Sequence, residues 1–516
     1  MLDFVRLNTP PEHGDVMVAP DPSEWVAAAL DNAERLRTTH APVMGRPLCE
    51  WRRETRMRIA GRDDRAIIVV GHQPEFIHPG VWAKQVAADR VARAMRGEAI
   101  NLVVDNDSPK NATLRIPAAD GAGFSLRVLR IPKVRSGPAY EQFPGATAGE
   151  IEQLRGLVLQ AMGERYSASA MAAFFDGLAG AGGSADWVDQ MIAGRRSAER
   201  SFGVHLTDVR VSRIWWSPLL GHMLASPERF AVDYNAALAW YRREFRVRGA
   251  NRPIPDLLVR GDEVELPVWA YRTDEVRRRL YVARRGRSIL LSAESESVAT
   301  LTDDDLKSSD DLAGLLAERG GWRVRPRALT LTLWARLFLA DLFVHGIGGA
   351  KYDRIADRII TDHFGIRPPE MACVSATLHV FPCPPRPDEE SVAGLRRAIR
   401  DMTWNPQRSL PGEFRFAELV AQRAAAVRRG HELREHDPRN RVERREAFRQ
   451  IREVNRRMLD QQPGMLAKLN DRLRLARQRI DDDRIARDRE YFFALHDRRA
   501  LEELLTALPG SNSFRV

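Results

Sequence analysis

Cysteine is scarce: Cys49, Cys373 and Cys383 are the only three in 516 residues, too few to frame a disulfide-stapled secreted scaffold. None has a motif-like histidine or cysteine neighbour, so thiol chemistry is not expected. Long apolar runs are also missing. The best candidate, 331–346, carries Arg336 and Asp341 and falls short of the roughly 20 apolar residues that a span requires, so it reads as a buried helix running into a strand. The opening stretch MLDFVRLNTPPEHGDV has no basic segment followed by an apolar one, which predicts no signal peptide and a cytoplasmic setting without membrane contact. Lysine is the third shortage. Only Lys84, Lys110, Lys133, Lys307, Lys351 and Lys468 occur, so arginine carries nearly all the basic charge behind the net +10. Such a skew reads as coding bias, and charge alone does not predict a nucleic-acid partner. Rarity makes each lysine informative. There is no GxxxxGK[ST] P-loop and no complete GxGxxG fingerprint.

What is present is ordinary globular composition, 44% hydrophobic and 29% charged, in a chain long enough for about three domains. A helix is predicted over 24–39. Ala66 to Val70 is a continuous β-branched run of the kind buried on both faces of a parallel sheet. The loop 71–80 follows, then a helical stripe over 81–97 closed by Gly97, then a strand over Ile100 to Val104. This succession is a βαβ unit, the building block of doubly wound sheets. Two alternating segments between 112 and 135 predict an antiparallel excursion, and 147–200 predicts three helices with a glycine-rich break at 177–184. Strands are predicted at 208–214, 256–259, 264–270 and 288–291. The segment 328–381 repeats the strand, glycine-rich turn, helix, strand pattern. Beyond a proline-rich linker at 381–390 the chain is nearly all helical, with breaks at 405–412, near Asp437-Pro438 and at 462–464. Apolar residues there keep three- and four-residue spacing, which predicts a helical hairpin or coiled coil. Its stretch 421–460 holds twelve arginines against seven acidic residues.

Ligands of parallel sheets bind at the carboxyl ends of strands, beside helix N-termini. The loop from Gly71 to Gly80 lies there with more polar groups than a connection requires. His72 can donate to an anion or move a proton near neutrality, Gln73 can bond an amide or hydroxyl, and His78 stands close to the helix start, with Lys84 one turn further in. His78 can equally well just start the helix. Asp105 and Asp107 end the next strand and can hold Mg²⁺ with phosphates, a ribose or an amine, or simply cap a turn. No metal ligand set is assigned. In the second unit, His345, Gly346, Gly348, Gly349 and Lys351 open a helix after a strand, exposing N–H groups to an anion. Glu265 and Trp269 read as a packed strand.

Gly71-His72-Gln73-Pro74, followed by Gly80, a lysine-bearing helix and a strand ending in Asp105-Asn106-Asp107, resembles the N-terminal core of the bacillithiol-biosynthesis cysteine-adding enzymes. HGIGGAKYD at 345–353 resembles that family's glycine-rich segment, and the helical C-terminal part is similar to its coiled-coil domain. The family's first glutamine is His72 here, and no KMSKS-like loop is found. The resemblance implies an α/β fold with a Rossmann-like parallel-sheet core, inserted α/β and helical segments, and a C-terminal α-helical coiled coil that forms a homodimer. It further implies an ATP-dependent ligase, with Mg²⁺ as a candidate ion, joining a cysteine-like carboxylate to the amine of a sugar-derived small molecule. The expected layout is core at 1–145, helical insertion at 146–204, mixed α/β region at 205–327, core again at 328–384, coiled coil at 385–490 and a tail on the core at 491–516. Within it, His72, Lys84 and Asp105 are the candidate catalytic residues. Gly71, Gln73, His78, Gly80, Asp107, His345, Gly346, Gly348, Gly349 and Lys351 are the candidates for binding nucleotide or substrate. The alternative is a non-catalytic nucleotide- or RNA-associated protein using the Arg-rich helices.

Overall fold

The computed structural model describes residues 7–514 except 111, 120, 122, 183–184, 248–253, 384–388, 410–415 and 462. Parts of the expected glycine-rich break, proline-rich linker, 405–412 break and 462–464 break therefore lie outside the described residues. The chain divides into two compact units, one of Met1–Ile116, Arg127–Val380 and Arg489–Val516, the other of Pro117–Leu126 and Phe381–Asp488.

The first unit is a mixed α/β body around a six-stranded sheet. Its strands are β1 (Val16–Ala19), β2 (Ile67–His72), β3 (Glu98–Val103), β6 (Thr207–Arg210), β12 (Leu342–His345) and β13 (Met371–Ala376). They lie in the order β1-β13-β12-β2-β3-β6. Only the edge pair β1–β13 is antiparallel; β13, β12, β2, β3 and β6 run parallel. Counted along the chain, the parallel strands stand in the order 3-2-1-4-5 starting from β6. The direction of winding therefore reverses between β2 and β12. Ile67, Ile68, Val69 and Val70 are all buried, as a strand covered on both faces demands. Helices α1 (Trp25–Arg37) and α2 (Leu48–Ala60) lie in this unit, and α3 (Pro79–Ala94) links β2 to β3. The helix ends at Ala94, with Arg96 in the left-handed region at φ 51°. Gly97 closes this end, its N–H donating to the Ala92 carbonyl at 2.8 Å. A Cβ there would collide with the Ala66 carbonyl, so its missing side chain lets the chain pass close to the start of β2.

The hairpin β4 (Thr113–Ala119) and β5 (Phe124–Arg130) forms the expected excursion as a two-stranded sheet. Helices α4 (Ala148–Met162), α5 (Met171–Gly180) and α6 (Trp187–Arg200) follow. The 205–327 region is a second sheet of β7 (Glu263–Tyr271), β8 (Arg278–Arg285), β9 (Ser288–Ala293), β10 (Glu296–Thr302) and β11 (Arg323–Pro326), antiparallel throughout in the order β10-β9-β8-β7-β11. Its arginine-rich strand β8 was not foreseen, because Leu280 to Ala283 are buried between charged ends. The predicted 256–259 strand is reduced to Val259–Arg260, and 208–214 stops at Arg210. Helix α7 (Ile347–Phe364) joins β12 to β13.

The second unit is built mainly from α8 (Glu389–Trp404), α9 (Ala417–His436), α10 (Arg441–Asp460) and α11 (Pro463–Ala486). Phe416, Leu419, Val454 and Met458 form a small apolar core between α9 and α10. No helix among the described residues is long and apolar enough to cross a membrane.

Candidate functional site

The two loops singled out in the sequence follow β2 and β12, the neighbouring strands between which the winding reverses. Leu342 pairs with Ile68 and Phe343 with Val69, a register that carries His345 to the level of Gly71. His345 in turn faces Cys373 on β13. In an open parallel sheet this crevice is where ligands collect.

Lys84 reaches into it from α3. The residue is 6% exposed, and its Nζ donates to the Gly71 carbonyl at 2.5 Å. Among the described residues no carboxylate pairs with it. Burial lowers its pKa to about 8. The Cys373 thiol is pushed up to about 12 by burial, while Lys84 and Lys351 pull it the other way, so lysines from α3 and α7 converge on one strand. A buried ammonium with one carbonyl and no counter-charge is costly, and an anion is the partner that relieves it.

The two helix N-termini differ. At α3, His78 is the N-cap: its Nδ1 accepts from the Gly80 N–H at 3.1 Å, and its carbonyl accepts from Val81 and Trp82 at 2.9 and 3.0 Å. The helix end is thereby satisfied from within, which fits the reading of His78 as the residue that starts the helix. Gly80 serves packing instead. A Cβ there would stand 2.7 Å from the Ala376 carbonyl and would also strike Arg489, whose guanidinium donates to Ser375 Oγ at 3.0 Å and to Ala376 O at 2.7 Å. At α7 the N-cap is Gly346 with no side-chain cap, and a Cβ at Gly346 or Gly348 would meet nothing within 4 Å. Among the described residues, then, the N-terminus of this 18-residue helix has no side-chain cap, and its first N–H groups are left to another partner.

His72 also departs from expectation. Burial, with the charge of Lys84, lowers its pKa to about 3, so it is neutral at physiological pH instead of titrating there. Its Nδ1 lies 3.1 Å from the Gln73 carbonyl, which places the proton on Nδ1 and leaves Nε2 as an acceptor. Gln73 and Asp107, 34 residues apart, meet at 2.9 Å. Asp107 also pairs with Arg277 at 2.6 Å and accepts from the Ser108 N–H.

Asp105 is engaged within the fold. It is fully buried, paired to Arg210 Nε at 2.8 Å, and bonded to the Ser212 N–H and Oγ at 2.8 and 2.5 Å. Both oxygens serve β6 and the turn after it, which gives Asp105 a structural role besides the amine contact expected of it. His345 is likewise engaged: 5% exposed, it stacks on Phe343 and bonds Asp353 at 3.1 Å, which Arg336 holds at 2.7 Å. Gly349 leaves room for its imidazole, since a Cβ would come within 2.9 Å of His345 Nδ1.

Three site residues were missed. Arg277 bonds Asp107 and lies 4.9 Å over the Trp269 ring, which Arg327 covers at 4.2 Å. Tyr140 donates to Glu75 at 2.6 Å. Arg489 comes from the C-terminal segment, whose Phe493 stacks on Trp82 at 4.9 Å. None had a signal in the sequence, because each is placed by distant packing. Glu265 is fully buried and paired to Arg327 at 2.8 Å, as a packed strand predicts.

Neither a protein-family model nor a curated protein matches the chain. The assignment of function therefore rests on the residues.

Proposed function

We propose that the protein is an ATP-dependent ligase that activates the carboxylate of a cysteine-like amino acid and joins it to the amine of a sugar-derived acceptor, as in bacillithiol-type thiol biosynthesis. The observation that carries the anion-binding part is Lys84, a buried ammonium with no carboxylate partner among the described residues, at the point where the sheet reverses. The ligase chemistry and its substrates come from the resemblance in the two loops. In this reading the core is Rossmann-like, the protein acts in the cytoplasm, and the helical unit forms a coiled-coil homodimer.

The residues fit a nucleotide's phosphates. Lys84 supplies an uncompensated charge, the α7 N-terminus supplies undirected N–H groups, and Gly346 and Gly348 admit a close approach. Among the described residues no three metal-ligating side chains cluster, so Mg²⁺ would be held largely by phosphate oxygens. ATP would supply the activating phosphoryl or adenylyl group. Lys84 and the α7 N–H groups stabilise the charge that develops on transfer, being fixed before reaction. His72, neutral with Nε2 free to accept, orients the incoming amine by a hydrogen bond. Proton storage is outside its range. Gln73, held by Asp107, presents its amide at the same strand end.

The test is ATP consumption with Mg²⁺ and cysteine, with and without glucosaminyl malate, resolving AMP from ADP and following the coupled product by mass. Acceptor-dependent turnover is expected. Lys84→Met should reduce it at least about a hundredfold, in the range seen for loss of a transition-state donor, and should abolish thermal stabilisation by ATP while leaving the fold intact. Nucleotide stabilisation without turnover would reject these substrates and keep the site. Stabilisation that survives in Lys84→Met would reject the site.

A further inference from the structure

The second unit carries a groove that the ligase reading does not use. It opens between α9 and α10, with a volume of about 570 Å³. Gly430 and Ala447 face one another across the hairpin in it, with Val427 and Ile451 beside them. Its rim is His431, Arg434, Arg441, Arg444 and Arg445, and no carboxylate lines it. Phe448 stands beside them 49% exposed, its ring 6.0 Å from that of Trp404, itself 42% exposed.

Arginine abundance alone does not explain this arrangement. Three arginines elsewhere on the same hairpin are neutralised by acidic neighbours: Arg429 by Glu443 at 3.1 Å, Arg449 by Glu446 at 3.1 Å, Arg456 by Glu453 at 2.8 Å. Within the groove, Arg434, Arg441 and Arg445 have no ion-pair partner among the described residues, and Arg444 is tied to the Pro438 carbonyl. Arg428, Arg439 and Arg452 also lack an ion-pair partner among the described residues, and Arg457 reaches only the Gln422 amide oxygen; what sets the groove apart is that its basic side chains gather on one concave face that no carboxylate lines, beside an exposed ring.

We propose that this groove binds single-stranded RNA, with phosphates on Arg434, Arg441 and Arg445 and a base against Phe448. Guanidinium forks match phosphate oxygens in pairs, and an exposed ring stacks on any base. An acidic protein segment fits less well, because it stacks on the exposed Phe448 ring only where it carries an aromatic side chain, whereas every base of an RNA has a face to offer. Charge by itself left a nucleic-acid partner unpredicted; the concave, acid-free geometry supplies what composition lacked.

The experiment is fluorescence anisotropy of a labelled mixed-sequence single-stranded RNA with the full chain across a salt series. Three phosphate contacts predict a slope of log K against log salt near −2, at about 0.7 per contact. Reversing all three charges with Arg434→Glu, Arg441→Glu and Arg445→Glu should weaken binding at least about tenfold and flatten the slope. Phe448→Ala should weaken binding about fivefold or more with the slope unchanged. The triple lysine replacement, which keeps charge and helix, should retain most binding and so separates a lost contact from a lost fold. Absence of binding at low salt, or binding indifferent to charge reversal, would overturn the proposal. So would displacement of the RNA by polyglutamate as readily as by unlabelled RNA, which would assign the groove to an acidic polypeptide.

Discussion

Two strand-to-helix junctions lie side by side at the reversal point of the same sheet, and they have opposite characters. After β2, the junction into α3 is closed: His78 satisfies the helix end, Gly80 is pressed against the Ala376 carbonyl, and Arg489 covers the approach. After β12, the junction into α7 is open, with an uncapped N-terminus and space over Gly346 and Gly348. Both have the same grammar of strand, histidine, glycine and helix. What differs is whether another part of the chain has been packed onto the end. Polar density in a loop is therefore a poor guide to ligand contact until one knows which N–H groups and lone pairs folding has already used.

The largest test of the closed side is pH. His72 and His496 both have pKa values lowered to about 3 by burial, and neither ring nitrogen of His496 finds a partner among the described residues. Below the ordinary value near 6.5 the unfolded chain takes up protons that the folded state refuses. Stability is thus complete above about pH 6.5 and falls as pH drops toward 3, by about 1.4 kcal/mol per pH unit for each histidine. Denaturant melts between pH 7 and 4.5 should show this, and His72→Gln should reduce the slope by one histidine's share. An unchanged slope would mean that His72 is open to solvent after all.

Asp105→Ala comes next. It strands Arg210, which also holds Asp186 and Asp189 at 2.7 and 3.0 Å, and should cost about 3–5 kcal/mol in urea unfolding. A variant as stable as the parent but inactive would restore Asp105 to the reaction.

The smallest effects sharpen the contrast between the two junctions. Gly80→Ala should destabilise by about 1–3 kcal/mol through overpacking. Gly348→Ala, in helical backbone with room for a methyl, should leave stability unchanged or raise it by up to about 1 kcal/mol while weakening stabilisation by ATP. Equal behaviour of the two alanine variants in thermal melts would erase the distinction between the junctions.

Much of the frame could be read in advance. The β-branched run at 67–70 and the stripe after it gave the first βαβ unit, and the repeated pattern at 342–376 gave the second. Lys84 and Lys351 stood out by rarity and do converge on Cys373. Less legible were roles. Asp105 looked like a site carboxylate because strand ends hold ligands, yet Arg210, 105 residues away, had already claimed it. Arg277 gave no signal inside its arginine run, and only the second sheet brings it to Asp107.

The sequence by itself determined the periodicities, and with them the parallel strands, the helical stretch beyond the proline-rich linker and the positions of the two loops, because local burial patterns follow directly from residue spacing. Tertiary structure alone decided which loop is closed, which charges are compensated and which arginines remain unpaired. Those properties depend on partners tens to hundreds of residues away, such as Arg489 beside Gly80, and no local pattern encodes them.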